Sequence, residues 1–401
     1  MTLTDLGETT SDAAVRLARL EPIVDALRAA DPSAERERVL QHDAVAELRR
    51  AGILSLRVPR RYGGPGGSVR DVLAAVIHLA SGSSNVAQAL RAHFGFAERL
   101  MSNRATDAER AEWFPRINAG LVLGNAITDA KGRAPGSTDT TVLPDADGVL
   151  RLNGRKFYST GTLYADAIAV SAVDADGRDV QVIVPTDRAG VELFDDWDGF
   201  GQRMTASGAT HFTDVQIAPQ EVTTVSDGSH LAHGTTFLQL YLAAVAAGIA
   251  AAVRRDAVEY VQTRARPASH SLAGRAADDP FVLHAVGEIG AAAAAAKALV
   301  LAAADALDTL VDSGSARDPE ALAQVAIVVA QAQLVAERLT LQSAQRLFDT
   351  GGASATSRAL NLDRHWRNAR TVASHNPLDY KAHAVGSYLV KGTAPPANGY
   401  F

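Results

Sequence analysis

His375 and His383 stand eight residues apart in RTVASHNPLDYKAH, near the end of a chain of 401 residues. Two histidines so placed have three chemical uses. They ligate a metal, pass protons as a general acid–base pair, or tie a loop to its own carbonyls. Metal ligation is disfavoured by the pattern: the histidines are scattered, no His-x-x-x-His or Glu-x-x-His pair falls on a helical stretch, and cysteine is absent. The missing cysteine also excludes a disulfide framework and a thiol nucleophile, and it fits a reducing compartment. No G-x-G-x-x-G follows a strand pattern, so a tightly held nicotinamide is not expected. For this stretch, proton handling and loop-tying stay open.

The elements that must position these side chains are legible in composition and periodicity. Apolar residues make up 47% and charged residues 21%, a soluble globular balance, and the length suits two or three compact units. A net charge of −6, with no sustained basic stripe, argues against nucleic-acid binding. The polar, acidic start MTLTDLGETTSD is no secretory signal. The apolar run YLAAVAAGIAAAV, closed by Arg254 and Arg255, reads as too short and too rich in alanine to span a bilayer. A cytoplasmic protein, with neither membrane nor nucleic-acid partner, is expected.

Three textures follow one another. In residues 1–120, SDAAVRLARLEPIVDALRAAD and DVLAAVIHLASGSSNVAQALRAHFGFAERLMS carry apolar residues at helical spacing, and VPRRYGGPGG is a turn. In residues 121–227, LVLGNAIT, GVLRLNGRKFYST, AIAVSAV and DVQVIVP read as strands bounded by Gly, Asp and Pro. DADGVLRLNG reads as a hairpin, and an antiparallel sandwich or barrel is predicted, because no helix separates the strands. In residues 228–401, three helices near thirty residues each, and a shorter fourth over ATSRALNLDRHWRNARTVA, predict a four-helix bundle. No strict heptad persists through the alanine runs, which disfavours a coiled coil.

That order, with LRVPRRYGGPGG, FGQRMTASGATHFTDVQIA, AQRLFDTGGASAT and RNAR in succession, resembles the acyl-CoA dehydrogenase superfamily over nearly the whole chain. NGRKFYSTGTLYADAIAV, LFDTGGASAT and SHNPLDYKAHAVGSY are more similar to one branch, the flavin-dependent monooxygenases typified by dibenzothiophene monooxygenase and the sulfur-assimilation oxygenases. A dehydrogenase of this family needs a carboxylate base for the proton alpha to a thioester. Here SHNPLDYK offers only Asp379, a methylene shorter than the family's Glu, and the second family position falls near Ala359. Dehydrogenation is therefore disfavoured.

The resemblance implies roles residue by residue. His375 matches a histidine implicated in oxygen activation, whereas His383 is expected to cap or pack. Ser159, with Thr160 beside it, takes the place of a hydroxyl at the flavin ring, and Asn125 with Thr128 lies on the β-domain edge facing that ring. Arg264, assisted by Arg266, corresponds to a phosphate-binding arginine, although charges at a helix C-terminus also serve the helix dipole. Gly351, Gly352, Ala353 and Ser354 form a small-residue loop that, in the superfamily, reaches the flavin of a neighbouring subunit. His93 and Phe96, three apart on one helix face, are expected to line the substrate pocket, His93 with a catalytic part.

The function so implied is a two-component monooxygenase. Reduced FMN (FAD being the alternative) would come from a separate NAD(P)H-dependent flavin reductase and react with O2. The resulting flavin hydroperoxide would oxygenate a small, organosulfur substrate. A homotetramer is the expected assembly. An FAD-dependent acyl-CoA dehydrogenase or oxidase, an aromatic-carbon or nitrogen hydroxylase, and a non-catalytic flavin-binding scaffold are the alternatives.

Overall fold

The computed structural model describes residues 12–102, 105–129, 139–224, 233–398 and 401. Its N-terminal part is helical: α1 (Asp12–Ala18), α2 (Leu20–Glu37), α3 (His42–Arg50), α4 (Val69–Gly82), α5 (Ser84–Ala89), α6 (Arg91–Met101) and α7 (Asp107–Asn118). Ser68 and Thr106 begin α4 and α7 through capping boxes completed by Asp71 and Glu109. VPRRYGGPGG makes the expected turn, with Gly63 and Gly66 in the left-handed region.

One sheet follows, built from β1 (Leu123–Ala126), β2 (Thr128–Asp129), β3 (Thr141–Pro144), β4 (Leu150–Phe157), β5 (Ala167–Val173), β6 (Asp179–Pro185), β7 (Val191–Leu193), β8 (Thr210–Ile217) and β9 (Val222–Thr224). The order is β7-β8-β4-β3-β5-β6-β9, with β1 on β5 and β2 on β4. β3 and β4 form the predicted hairpin, whose turn is tied by Asp145 accepting from the N–H groups of Asp147 and Val149. The antiparallel expectation needs correction, because β1 and β3 both pair with β5 in parallel. The excursion through β2, β3 and β4 supplies the long crossover that a parallel β1–β5 pair requires, so no intervening helix is needed.

The remaining chain is α8 (His233–Thr263), α9 (Pro280–Asp312), α10 (Pro319–Arg346), α11 (Arg364–Ala373) and α12 (Leu378–Lys391). α9 and α10 both open on Asp-Pro: Asp279 and Asp318 accept from the first free N–H groups, and each proline occupies the position that needs no donor. The predicted fourth helix is shorter than expected. Residues 357–363 form turns, with Asn361 at φ 49 and its amide donating to Pro32 O and Glu35. The terminal stretch expected as a loop becomes helical at Leu378, which places Asp379 and His383 on α12, both exposed. The domain boundary placed at 227/228 lies outside the described residues.

The membrane reading also needs correction. α8, α9 and α10 are each long and apolar enough, by length and composition, to cross a bilayer. The most apolar window of α8 is 89% buried among its neighbours, whereas that of α9 is only 28% buried.

Behind these elements sits a buried ion cluster. Arg57, before α4, reaches both oxygens of Glu98 on α6, at 2.6 and 3.2 Å, and donates to Gly67 O. His233, at the start of α8, stands 3.0 Å from the same carboxylate. Burial by itself would raise Glu98, but Arg57 and His233 outweigh it and hold the carboxyl at about 2.

Candidate active site

The β-domain contributes a tight turn where β4 ends. Tyr158 has φ 54, so the chain reverses there, and Ser159 N–H reaches Gly208 O at 3.0 Å. Gly161, at φ 81, donates to the carbonyls of Thr205 and Ala206. A Cβ on Gly161 would lie 2.3 Å from Ala89 O, so only glycine lets this turn seat on the end of α5. Gly161→Ala is accordingly expected to destabilise the protein by about 2–4 kcal/mol, combining left-handed strain with overpacking. Urea unfolding measures this, and an unchanged midpoint would contradict the packing described.

Ser159 is fully buried, and its Oγ has no hydrogen-bond partner among the described residues. Asn125 Oδ1 is likewise unpartnered. A buried hydroxyl and a buried carbonyl left unsatisfied are costly, and ligand groups seated beside them would relieve that cost. Thr160 Oγ1 contacts Ser207 Oγ at 2.9 Å, so this hydroxyl is already used. Thr128, exposed, pairs across the strands with Phe157. Beside them Ile127 and Tyr158 turn large apolar surfaces outward, 54% and 62% exposed, and Trp197 stands edge-on to Tyr158 at 5.8 Å. This edge suits the face of a flat heteroaromatic ring.

A chain of contacts leads from that turn to His375. Ala87 O, on α5, accepts from Tyr241 Oη on α8 at 2.7 Å. Gln239, two residues earlier on α8, accepts from the amide of Asn376. His375 adjoins Asn376, and its N–H donates to Val372 O at 3.1 Å. Its ring is open to solvent, yet it is lowered to about 4 by crowding from the surrounding protein and then by Arg91. The imidazole is therefore neutral at neutral pH, able to donate from one nitrogen and accept at the other. Arg91 starts α6, donates to Leu238 O at 3.2 Å, and is lowered to about 10 by burial, which leaves it charged.

His93 and Phe96 depart from expectation. His93 is fully buried: its Nε2 donates to Leu54 O at 2.7 Å, and its Nδ1 accepts from Leu123 N–H at 3.4 Å. Burial lowers it to about 4. With both nitrogens held by backbone, this histidine fixes α6 against β1 and has no donor left for a substrate. Phe96 packs edge-on against Trp113 at 5.5 Å in the core between α6, α7 and β1. The shared face is real, but it is the packed face.

The phosphate candidates lie elsewhere. Arg264 and Arg266 follow the C-terminus of α8, both exposed. The Gly351 loop sits against the same end, since a Cβ on Gly351 would fall 2.0 Å from the ring of Tyr260. Gly352, Ala353 and Ser354 are exposed there. Gln239 and Arg264 bracket most of α8, about 37 Å apart along its axis at 1.5 Å per residue. One protomer thus carries two groups of candidate residues at opposite ends of one helix, too far apart for a single mononucleotide. Sequence reasoning missed Arg91, Tyr158 and Asn376. Arg91 and Asn376 look like ordinary surface polar residues in one dimension, but the left-handed turn at Tyr158 has a faint signal in the Ser-Thr-Gly that follows.

Comparison with known proteins adds the remaining findings. Residues 14–121 match the family described as acyl-CoA dehydrogenase, N-terminal domain, and residues 240–380 match acyl-CoA dehydrogenase, C-terminal domain. The chain is 30% identical to a probable FMNH2-dependent monooxygenase, SfnC, of Pseudomonas putida, over 93% of this chain and 92% of that one. It is 31% identical to dibenzothiophene monooxygenase of Rhodococcus qingshengii, over 87% of each. The solved structure of TdsC from Paenibacillus sp. A11-2 with FMN and indole superposes with a TM-score of 0.88 at 30% identity, covering 96% of this chain and 99% of that one.

Proposed function

Because the chain belongs to the acyl-CoA dehydrogenase family, in its flavin-dependent monooxygenase branch, we propose that it is a cytoplasmic monooxygenase that uses reduced FMN and O2 to oxygenate a small organosulfur compound. The flavin is supplied by a separate reductase. The observation that carries this reading is the turn at His375: a neutral imidazole near the half-buried cation Arg91, with the neighbouring carboxylate Asp379 exposed on α12. Proton abstraction from carbon needs a base stronger than this imidazole. Oxygen transfer needs a hydrogen-bond donor and the exclusion of carboxylate charge from the ring.

Bound reduced flavin supplies the electrons that activate oxygen for transfer to sulfur. Asn125 and Ser159 hold the polar edge of its ring, and Ile127 and Tyr158 cover an apolar face. His375 would donate its ring N–H to the reacting oxygen, and its surroundings, with Arg91, keep the other ring nitrogen from taking up a proton. At the far end of α8, Arg264 and Arg266 bind the phosphate, and the loop from Gly351 to Ser354 lets it approach.

Since no protomer brings both ends to one flavin, each site joins the ring-binding end of one chain to the phosphate-binding end of another. A homotetramer, built as a dimer of dimers, suits this. The uncovered face of α9, where Phe281 and Leu283 are 74% and 53% exposed and Gly287, Ala291, Ala294, Ala298 and Ala302 line up, supplies an apolar contact for it.

The reading is tested by adding photoreduced FMN without oxygen, then admitting oxygen with dibenzothiophene as probe. Oxygenated product and slowed flavin reoxidation are expected. Reduction of bound FAD by an acyl-CoA, without oxygenation, would overturn it. Arg264→Ala gives a narrower check. It should weaken FMN binding roughly tenfold or more while leaving riboflavin binding alone, because only FMN carries the phosphate. Equal losses for both ligands would remove Arg264 from the phosphate site.

A further inference from the structure

α12 carries the active-site turn at its N-terminus and packs on α10 through Ala384 and Val385, which meet Ala326, Ile327, Ala330 and Leu334. Its buried residues are Lys381, Ala384 and Val385, while Tyr380, Leu389 and Val390 are 77%, 67% and 82% exposed. A lysine in that short set demands a partner, because burying an ammonium alone is costly. The partner is on α10. Glu337, 2% exposed, faces Lys381, itself 2% exposed, and each charge favours the other. Burial pushes Glu337 up to about 7 and Lys381 down to about 8, against that attraction.

The surroundings close the pair in. Lys381 Nζ lies 4.9 Å from the ring centre of Phe401, which is buried. Gln333 donates to Glu337 Oε1 at 2.7 Å, and Glu337 Oε2 has no hydrogen-bond partner among the described residues. Arg370 faces Glu337 and Arg91 faces Lys381, so the cluster reaches the cation that also depresses His375. Upstream, Asn376 is tied to Gln239 of α8. The segment holding His375 therefore lies between the Asn376–Gln239 tie to α8 and the packed α10–α12 seam that buries Lys381 and Glu337. An apolar contact tolerates sliding, whereas a buried charge pair fixes register.

We propose that Glu337 and Lys381 are positioning residues for the active-site turn: two opposite charges buried where α10 packs on α12 fix how the start of α12 seats on α10 and so set where His375 stands. The proposal rests on the monooxygenase reading for the role of His375, but the docking itself does not.

The test compares Glu337→Gln, Lys381→Met and Lys381→Arg. Amide hydrogen exchange over residues 375–381 should accelerate roughly tenfold or more in the first two and stay near wild type in Lys381→Arg, which keeps the cation. Product formed per oxygen consumed should fall in the same two, with FMN affinity unchanged and Lys381→Arg restoring it. Wild-type exchange and wild-type coupling in both charge-removing variants, with only a lower melting temperature, would overturn the proposal. Should Lys381→Met not fold, the isosteric Glu337→Gln carries the test alone. If the wild-type protein oxygenates nothing, the function reading fails, while the exchange comparison still decides the docking.

Discussion

His375→Ala is expected to bind reduced FMN as the wild type does and to consume oxygen, but to form product about a hundredfold or more slowly. The oxygen appears instead as hydrogen peroxide. The side chain is exposed, so its loss leaves the core undisturbed and, on the proposed reading, removes a hydrogen bond to the reacting oxygen. Its tie to Asn376 and the N–H bond to Val372 concern the turn, and the second of these survives in alanine. Because the imidazole is already lowered to about 4, its protonation leaves no inflection in a rate profile between pH 6 and 8. Simultaneous assay of product and peroxide decides the matter. Unchanged coupling in the variant would take His375 out of the reaction.

The second large effect concerns folding. Glu98→Ala leaves Arg57 buried without its carboxylate and is expected to cost about 3–5 kcal/mol. Arg57 is 7% exposed and Glu98 0%, so water cannot replace the lost partner. The cluster ties the VPRR turn, α6 and the start of α8 together, so its loss loosens the platform on which Arg91 sits. The pH dependence follows from the direction of the shift. Glu98 is held at about 2, below its ordinary value of 4.5, so its contribution is complete above pH 4.5 and is lost as pH falls towards 2. Glu98→Gln should flatten that acid limb as well as lower stability at pH 7. Denaturant midpoints across pH 3–7 measure both, and parallel profiles for wild type and variant would contradict the assignment.

Much of the architecture is legible in the sequence. The change from helical spacing to short strands near residue 121 is written in the apolar periodicity, and the two Asp-Pro starts mark α9 and α10. The parallel β1–β5 pair was not legible, because strand order is set by contacts some forty residues apart and leaves no local mark. α12 was hidden by Pro377, which reads as an interruption but in fact sits at the helix start. His93 shows the opposite failure: the inward face was found correctly, yet inward meant core, since Leu54 and Leu123 take both nitrogens. Glu337 and Lys381 could not have been singled out, because a lone charge on a helix looks solvated until its neighbours are known.

The placement of ring-binding and phosphate-binding residues at opposite ends of α8 has a genetic consequence. In the proposed assembly a chain defective at His375 would still offer an intact phosphate end to its neighbour, and a chain defective at Arg264 an intact ring end. If the site is shared between copies as proposed, two alleles, each inactive alone, are expected to complement when expressed together, since mixed assemblies would contain some whole sites. On the proposed shared site, the heritable unit of activity would be the contact between copies.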